Sequence, residues 1–364
     1  MIPEAYIYIY LILCTIFLLR YLNLATIPTE VVSNSIANTN YQILIFLLFL
    51  IVWIGFRPIS HVFADTAAYN ELYGFIKGNT FELDLSTENV IFDNLFNLFG
   101  SFDLPISIFF LFIASIYFPG IYLASRKLFP ENAPLAFFSY LVGFSTFSYG
   151  TNGIKAGAGA VIFLLALAYK DRKVLMILLC LVSVGFHHSM KVVIYAYIIA
   201  YIIKNTKLYF YGWIIAAVIA TFHISFFQDL FASYGGEKAL DYLSGNGNVV
   251  FLTGFRLDFM LYSAGPVLVG YLIFIKKGLR NSTYEIWLRM YLLMNSIWML
   301  CMYASFTNRI AYLSWFMYPF VLIYPFYAMY HSKNQLVSGK KVVLYHLYFT
   351  WFMEVVYYTL IKVS

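Results

Sequence analysis

Apolar runs recur along this chain at spacings that leave no room for a water-soluble core, and they dictate its fold class. They fall near 5–22, 41–56, 104–124, 135–149, 153–169, 174–186, 188–203, 208–227, 259–275, 284–303, 309–330 and 342–361. A helix rises about 1.5 Å per residue, so about 20 apolar residues cross a hydrocarbon layer of about 30 Å. The runs therefore predict about twelve crossing helices, several of them short. They far exceed the alternating segments of about 10 residues that build an outer-membrane barrel, and helix is the remaining way to satisfy the backbone in lipid. Composition agrees: 62% of residues are hydrophobic and 11% charged, against about 25% charged in soluble domains. The expected fold is an all-α polytopic membrane protein, with residues 1–364 forming one integral membrane domain.

Basic residues set the orientation. If the spans alternate, Arg20, Arg126, Lys127, Lys170, Arg172, Lys173, Lys204, Lys207, Lys276, Lys277, Arg280, Arg289, Lys333, Lys340 and Lys341 share one side, which the positive-inside rule makes cytoplasmic. Both termini then face outward. Met1-Ile2-Pro3-Glu4 carries no basic stretch before the first run, which reads as a first span rather than a removed signal. Cys14, Cys180 and Cys301 are scattered within apolar runs and suggest neither disulfides nor a metal site. The net charge of +6 sits mainly in cytoplasmic loops, so it implies no nucleic-acid partner.

Two outward loops are long, 57–103 and 228–258. In the first, Asp65 or Thr66 can cap a short helix with Tyr69, Leu72, Tyr73 and Ile76 on one side, and a second such stretch runs from Val90 to Phe99. Both read as helices lying in the outer membrane interface. The second loop is rich in Gly and Asn (Gly235-Gly236, Gly245-Asn246-Gly247-Asn248), and loops of this length are usually functional or disordered.

Asn152 to Ser189 forms a hairpin. Two apolar legs flank the charged knot Lys170-Asp171-Arg172-Lys173, so Lys155 and His187 each lie about 20–23 Å from it, at matching depth. Polar residues at such depth are costly and are site candidates by default. The outward cations Arg57, Lys155, Lys191, Arg256 and Arg309 each flank an apolar run. Each alone can be a side chain snorkelling to the interface; together they suit a multiply charged anion such as a diphosphate. His187-His188 reads as an acid–base or hydrogen-bonding element or as an ordinary helix start. Adjacent histidines on a helix point about 100° apart, so both cannot easily bind one ion and metal binding is disfavoured. Asp65 is the other candidate base, with helix capping as its plain alternative. Tyr69, Tyr73 and Tyr312 can stack on sugar or simply anchor the interface. Gly153, Gly157 and Gly159 suit close helix packing.

Taken in order, Arg57 with Ala64-Asp65-Thr66-Ala67-Ala68-Tyr69, then Asn152-Gly153-Ile154-Lys155, then Phe186-His187-His188-Ser189, then Asn308-Arg309 with Tyr312, the chain resembles the EpsG family of Wzy-type polysaccharide polymerases. One departure is Lys155-Ala156 where the family usually has Arg-Gln, which keeps the charge and loses the bidentate fork. The resemblance implies a GT-C-like glycosyltransferase of the bacterial inner membrane. It would join oligosaccharide repeat units carried on undecaprenyl diphosphate at the periplasmic face without a metal or other cofactor. For such a transfer the outward cations Arg57, Lys155, Arg256 and Arg309 are the expected diphosphate contacts, His187 or Asp65 would activate the acceptor hydroxyl, and Tyr69, Asn152 and Tyr312 would bind substrate. The bilayer is a partner, and a chain-length regulator a candidate one. Two rival readings are an O-antigen ligase using the same donor and a flippase for the lipid-linked glycan, although no repeated half of the kind common in transporters is evident.

Overall fold

The computed structural model describes residues 2–24, 33–63, 65–222, 254–304, 307–329 and 333–356. The glycine-rich part of the second long loop lies outside them. The described residues are predominantly helical, with no strand among them. Four helical stretches among them are long and apolar enough to cross a membrane: Ala5–Leu24, Ile106–Leu128, Leu257–Lys276 and Thr307–Tyr327. Five shorter apolar helices, of 10–17 residues, accompany them. Helix flanks that expose Leu44, Ile45 and Leu48, or Val174, Ile177 and Leu181, present apolar surface of the kind a lipid contact requires.

The run at 135–149 is broken into α6 (Ala133–Leu141) and α7 (Thr146–Thr151). The last turn of α6 closes with Val142 N–H donating to Phe138 O, and Gly143–Ser145 separate the two. The run at 309–330 is likewise divided, into Thr307–Trp315 and Tyr318–Tyr327.

The chain divides into two compact units, residues 1–191 with 326–350, and residues 192–325 with 351–364. In the first, α1 (Ala5–Leu24) packs on α6 through stacked Phe17 and Phe138 rings, 5.0 Å apart, and through Tyr10 Oη donating to Leu141 O at 2.8 Å. Helix α2 (Ser33–Gly55) lies against α5 (Ile106–Leu128). Helices α8 (Ile154–Ala168) and α9 (Lys173–Phe186) form the expected hairpin. Two glycines set its spacing. A Cβ on Gly157 would collide with Tyr149 O of α7, and one on Gly159 would sit 3.1 Å from Ser183 O of α9. Ser183 Oγ uses the proximity to donate to Gly159 O at 2.7 Å, satisfying a hydroxyl that would otherwise be costly in an apolar interior.

Both expected short outer helices form, α3 (Asp65–Ile76) and α4 (Val90–Ser101). They are less peripheral than an interfacial helix would be. Tyr73 of α3 and Phe92 and Phe96 of α4 share a buried cluster with Phe109 and Phe110 of α5, Ile154 and Ala158 of α8, and Phe186 of α9. Leu72, expected on the same face as Tyr73, is instead 56% exposed.

In the second unit, α10 (Met190–Ile202), α11 (Thr206–Thr221), α12 (Leu257–Gly270, continued by a π-helical turn to Lys276), α13 (Ser282–Leu300), α14 (Thr307–Trp315) and α15 (Tyr318–Tyr327) follow. Its core is aromatic. Trp298 and Trp315 are buried, and Tyr262 stacks on Tyr318 at 4.2 Å. Helix α16 (Lys333–Val356) closes the described chain.

Candidate functional site

Helix α4 organises the polar residues at one end of the α8–α9 hairpin. Its apolar face anchors it: Phe92 meets Phe109 edge to face at 5.2 Å, and Ile91 fits against Gly185, where a Cβ would come within 2.5 Å of it. The preceding loop is pinned by Asn94, whose amide donates to Asp84 O and accepts from Asp84 N–H. With α4 fixed in this way, Asn89 and Asp93, one turn apart, meet opposite legs of the hairpin.

Asp93 takes Lys155. The Lys155 Nζ to Asp93 Oδ1 distance is 2.6 Å, and Nζ also lies 4.8 Å from the centre of the Phe92 ring. The two side chains are 26% and 24% exposed. Lys155 is therefore half-sheltered and already carries a counter-charge, yet it remains reachable, because an ammonium has three donors.

Asn89 takes His188. Its Oδ1 accepts the backbone N–H of His188 at 3.0 Å. A backbone N–H can only donate, so this atom is the amide oxygen and an acceptor. The same oxygen lies 3.2 Å from His188 Nδ1, and Glu88 Oε2 lies 3.7 Å from it. Nδ1 therefore carries the proton, and neutral His188 has its lone pair on Nε2. His187 is arranged the other way. Its Nδ1 meets Ser189 Oγ at 2.6 Å and receives the Ser189 backbone N–H at 3.3 Å. Nδ1 is thus the acceptor, and neutral His187 carries its proton on Nε2.

The rings do not diverge as two neighbours on one helix would. His187 caps α9 in an extended conformation, with φ −152° and ψ 122°, and the two rings stack 4.8 Å apart with 19° between their planes.

Arg57 is 3% exposed and is held from several directions. Nη2 donates to Thr151 O at 2.9 Å, Nε to Thr66 Oγ1 at 3.2 Å, and Nη1 to Ile54 O at 3.0 Å, while the guanidinium lies 4.1 Å from the centre of the Phe110 ring. Thr66 Oγ1 in turn donates to Thr151 O at 3.1 Å. Burial pushes the Arg57 pKa down to about 9, so it keeps its charge at neutral pH. The arrangement ties the end of α2, the first turn of α3 and the end of α7 together, next to Asn152. The Asn152 Oδ1 is buried and has no hydrogen-bond partner. Asp65 begins α3 and is half-buried. Tyr69 is half-buried, its ring tilted against Phe92 and Phe96 at 6.0 Å from each.

In the second unit, Arg256 grips Asp258 with both ends of its fork, Nε to Oδ1 at 2.9 Å and Nη2 to Oδ2 at 2.6 Å, and lies 3.6 Å from the Phe259 ring centre. An incoming phosphate would compete with that carboxylate. Arg309 is exposed on α14, and Tyr312 is buried, its ring 5.7 Å from that of Trp315.

Of the residues expected from sequence, Lys155 and the histidines come under one helix, and Arg57 and Asn152 meet at the end of α7. Sequence reasoning missed Glu88, Asn89 and Asp93. Their only sequence signal is that Asn and Asp recur at the start of an amphipathic stretch, a pattern equally suited to capping.

The fold and these sites define an all-helical membrane protein that gathers cations, carboxylates and a histidine pair at helix ends. The chain belongs to the EpsG family, whose profile matches residues 40–362. No curated protein matches it, and no solved structure does. Membership supports a role in polysaccharide polymerisation.

Proposed function

We propose that the protein is a glycosyltransferase that polymerises oligosaccharide repeat units carried on undecaprenyl diphosphate, acting at the periplasmic face of the bacterial inner membrane. The observation that carries this reading is the grouping of Lys155 with the opposite-tautomer histidines around α4, in a member of this family. In the transfer, the oxygen of an acceptor hydroxyl attacks the anomeric carbon of the donor glycan. The bond from that carbon to the phosphate oxygen breaks, and polyprenyl diphosphate leaves with the electron pair. The hydroxyl proton passes to a base. Diphosphate is a good leaving group, so it needs its developing charge neutralised more than it needs a proton, and fixed cations aimed at it suffice.

Lys155 is the first cation for that role, sharing its charge between Asp93 and the diphosphate. Arg309 and Arg256 are further candidates, the latter by exchanging Asp258 for phosphate. Arg57 acts mainly by holding Asn152 and α3 in place. For the proton, the hydrogen bonding favours His188 over His187. A lone pair on His188 Nε2, with Asn89 and Glu88 behind the ring, suits a general base, whereas a neutral His187 offers an Nε2–H donor. Asp65 is a second candidate base on α3.

The test is polymer length in cells whose own copy of this gene is deleted and replaced by variants. Lys155→Met and Arg309→Gln should leave the protein in the membrane and reduce long glycan chains to single repeat units. Normal chain length in both would remove the cation role. Loss of even the single repeat unit from its final acceptor would favour the ligase reading.

A further inference from the structure

A separate cluster of cations, unused by this chemistry, lines a cavity of about 470 Å³ within the second unit. Lys204 follows α10, Arg280 and Asn281 precede α13, and Arg289 lies two turns inside α13. This is the end that carries Lys207, Lys276 and Lys277 as well, and it is cytoplasmic by the positive-inside rule.

Arg289 is the unusual member. It is 4% exposed, and long helical side chains lean toward the helix N-terminus, here toward the cavity it lines. Its Nη1 donates to Lys204 O at 2.6 Å. Its Nε is buried with no hydrogen-bond partner. Glu285, one turn earlier, lines the same cavity, but among the described residues no carboxylate oxygen forms an ion pair with Arg289. A buried guanidinium with one carbonyl acceptor and the longer-range attraction of Glu285 is a costly arrangement that a further anion would relieve.

The surroundings suit such an anion. Arg280 holds its guanidinium 3.6 Å from the centre of the Phe274 ring, and Lys204 is exposed. Asn281 Oδ1 accepts the N–H groups of Thr283 and Tyr284 at 3.0 Å each, fixing the start of α13, whose dipole adds positive potential. Three cations face one carboxylate.

We infer that this cavity binds a phosphate-bearing anion, with Arg289 as its buried anchor and Lys204 and Arg280 at its mouth. A guanidinium fork matches phosphate oxygens, and two flexible or exposed cations can close over them. The same chemistry is offered by an anionic lipid headgroup of the cytoplasmic leaflet and by free phosphate or diphosphate.

The experiment is thermal unfolding of the full-length protein in nanodiscs of phosphatidylcholine, alone, with added phosphatidylglycerol, or with inorganic phosphate or pyrophosphate in the buffer. Saturable stabilisation is expected in one arm, phosphatidylglycerol identifying a lipid and pyrophosphate or phosphate a soluble ligand. Lys204→Gln/Arg280→Gln should weaken the response at least about tenfold in ligand concentration. Arg289→Gln should do the same if it folds. Lys276→Gln/Lys277→Gln, which removes equal charge from outside the cavity, should leave the response unchanged. No stabilisation in any arm, an unchanged response in the cavity variants, or an equal loss in the Lys276/Lys277 control would each overturn the assignment.

Discussion

Lys155 and Asp93 form a 2.6 Å ion pair between the first turn of α8 and the first turn of α4, across 62 positions of sequence. The pair helps hold α4 over the hairpin and keeps the lysine side chain in a half-sheltered position. In the proposed transfer this one side chain would serve both structure and chemistry, and the two roles can be separated.

Asp93→Asn leaves the ammonium without its counter-charge. The expected cost is about 1–2 kcal/mol, less than for a fully buried pair because both groups touch solvent. Lys155→Met/Asp93→Asn should regain most of that stability, since neither charge remains, and should still fail to make long chains. Unfolding of the purified proteins and polymer gels read the two effects. Restored polymer in the double variant would make the pair purely structural.

The histidine tautomers predict unequal tolerance. Gln places an amide near the position of the ring Nε2, so His187→Gln keeps a donor and should retain activity within about tenfold. Asn places its amide near Nδ1, so His188→Asn keeps the contact with Asn89 and loses the base, with an expected loss of about 100-fold or more in turnover. Asn89→Asp preserves the acceptor for His188 and should be milder than Asn89→Leu. The reverse ranking of the histidine variants would assign the base to His187.

Close packing at α7 and α8 sets a third expectation. Gly157→Ala drives a methyl into Tyr149 O, backbone that cannot yield without moving a helix, and should cost about 1–3 kcal/mol. Gly212→Ala meets nothing within 4 Å and should be neutral or slightly stabilising. Melting temperatures of the two variants make the comparison.

Arg57 serves three acceptors at once. Arg57→Lys keeps the charge but cannot span them, and Arg57→Gln also removes the charge and leaves the Thr66 hydroxyl to serve Thr151 O. Losses of about 2–3 kcal/mol for Gln and less for Lys are expected from unfolding curves.

Much of this could be read from the sequence. The hairpin was legible because two apolar legs of matched length end in polar residues around a charged knot. Helices α3 and α4 were legible from Asp65 and from the pattern after Val90. The break between α6 and α7 was not, since apolar residues continue through it. Nor was the stacking of His187 on His188, because it depends on one extended residue, and a helical assumption turns the rings apart. Asn89 and Asp93 escaped notice for a further reason. Their partners lie 99 and 62 positions away, and nothing local distinguishes a distant ion pair from a helix cap. The charge of Arg57 and its place in the family pattern suit a phosphate contact, and only the packing around Thr151 reveals how much of its hydrogen bonding is already committed.

The most direct measurement is elongation by the purified protein in nanodiscs, given lipid-linked repeat units extracted from cells that lack this gene. The expected result is a ladder of glycans growing by whole repeat units, with polyprenyl diphosphate released in step, and no ladder from Lys155→Met. A wild-type protein that is folded and supplied with verified substrate, yet forms no ladder, would contradict the polymerase reading.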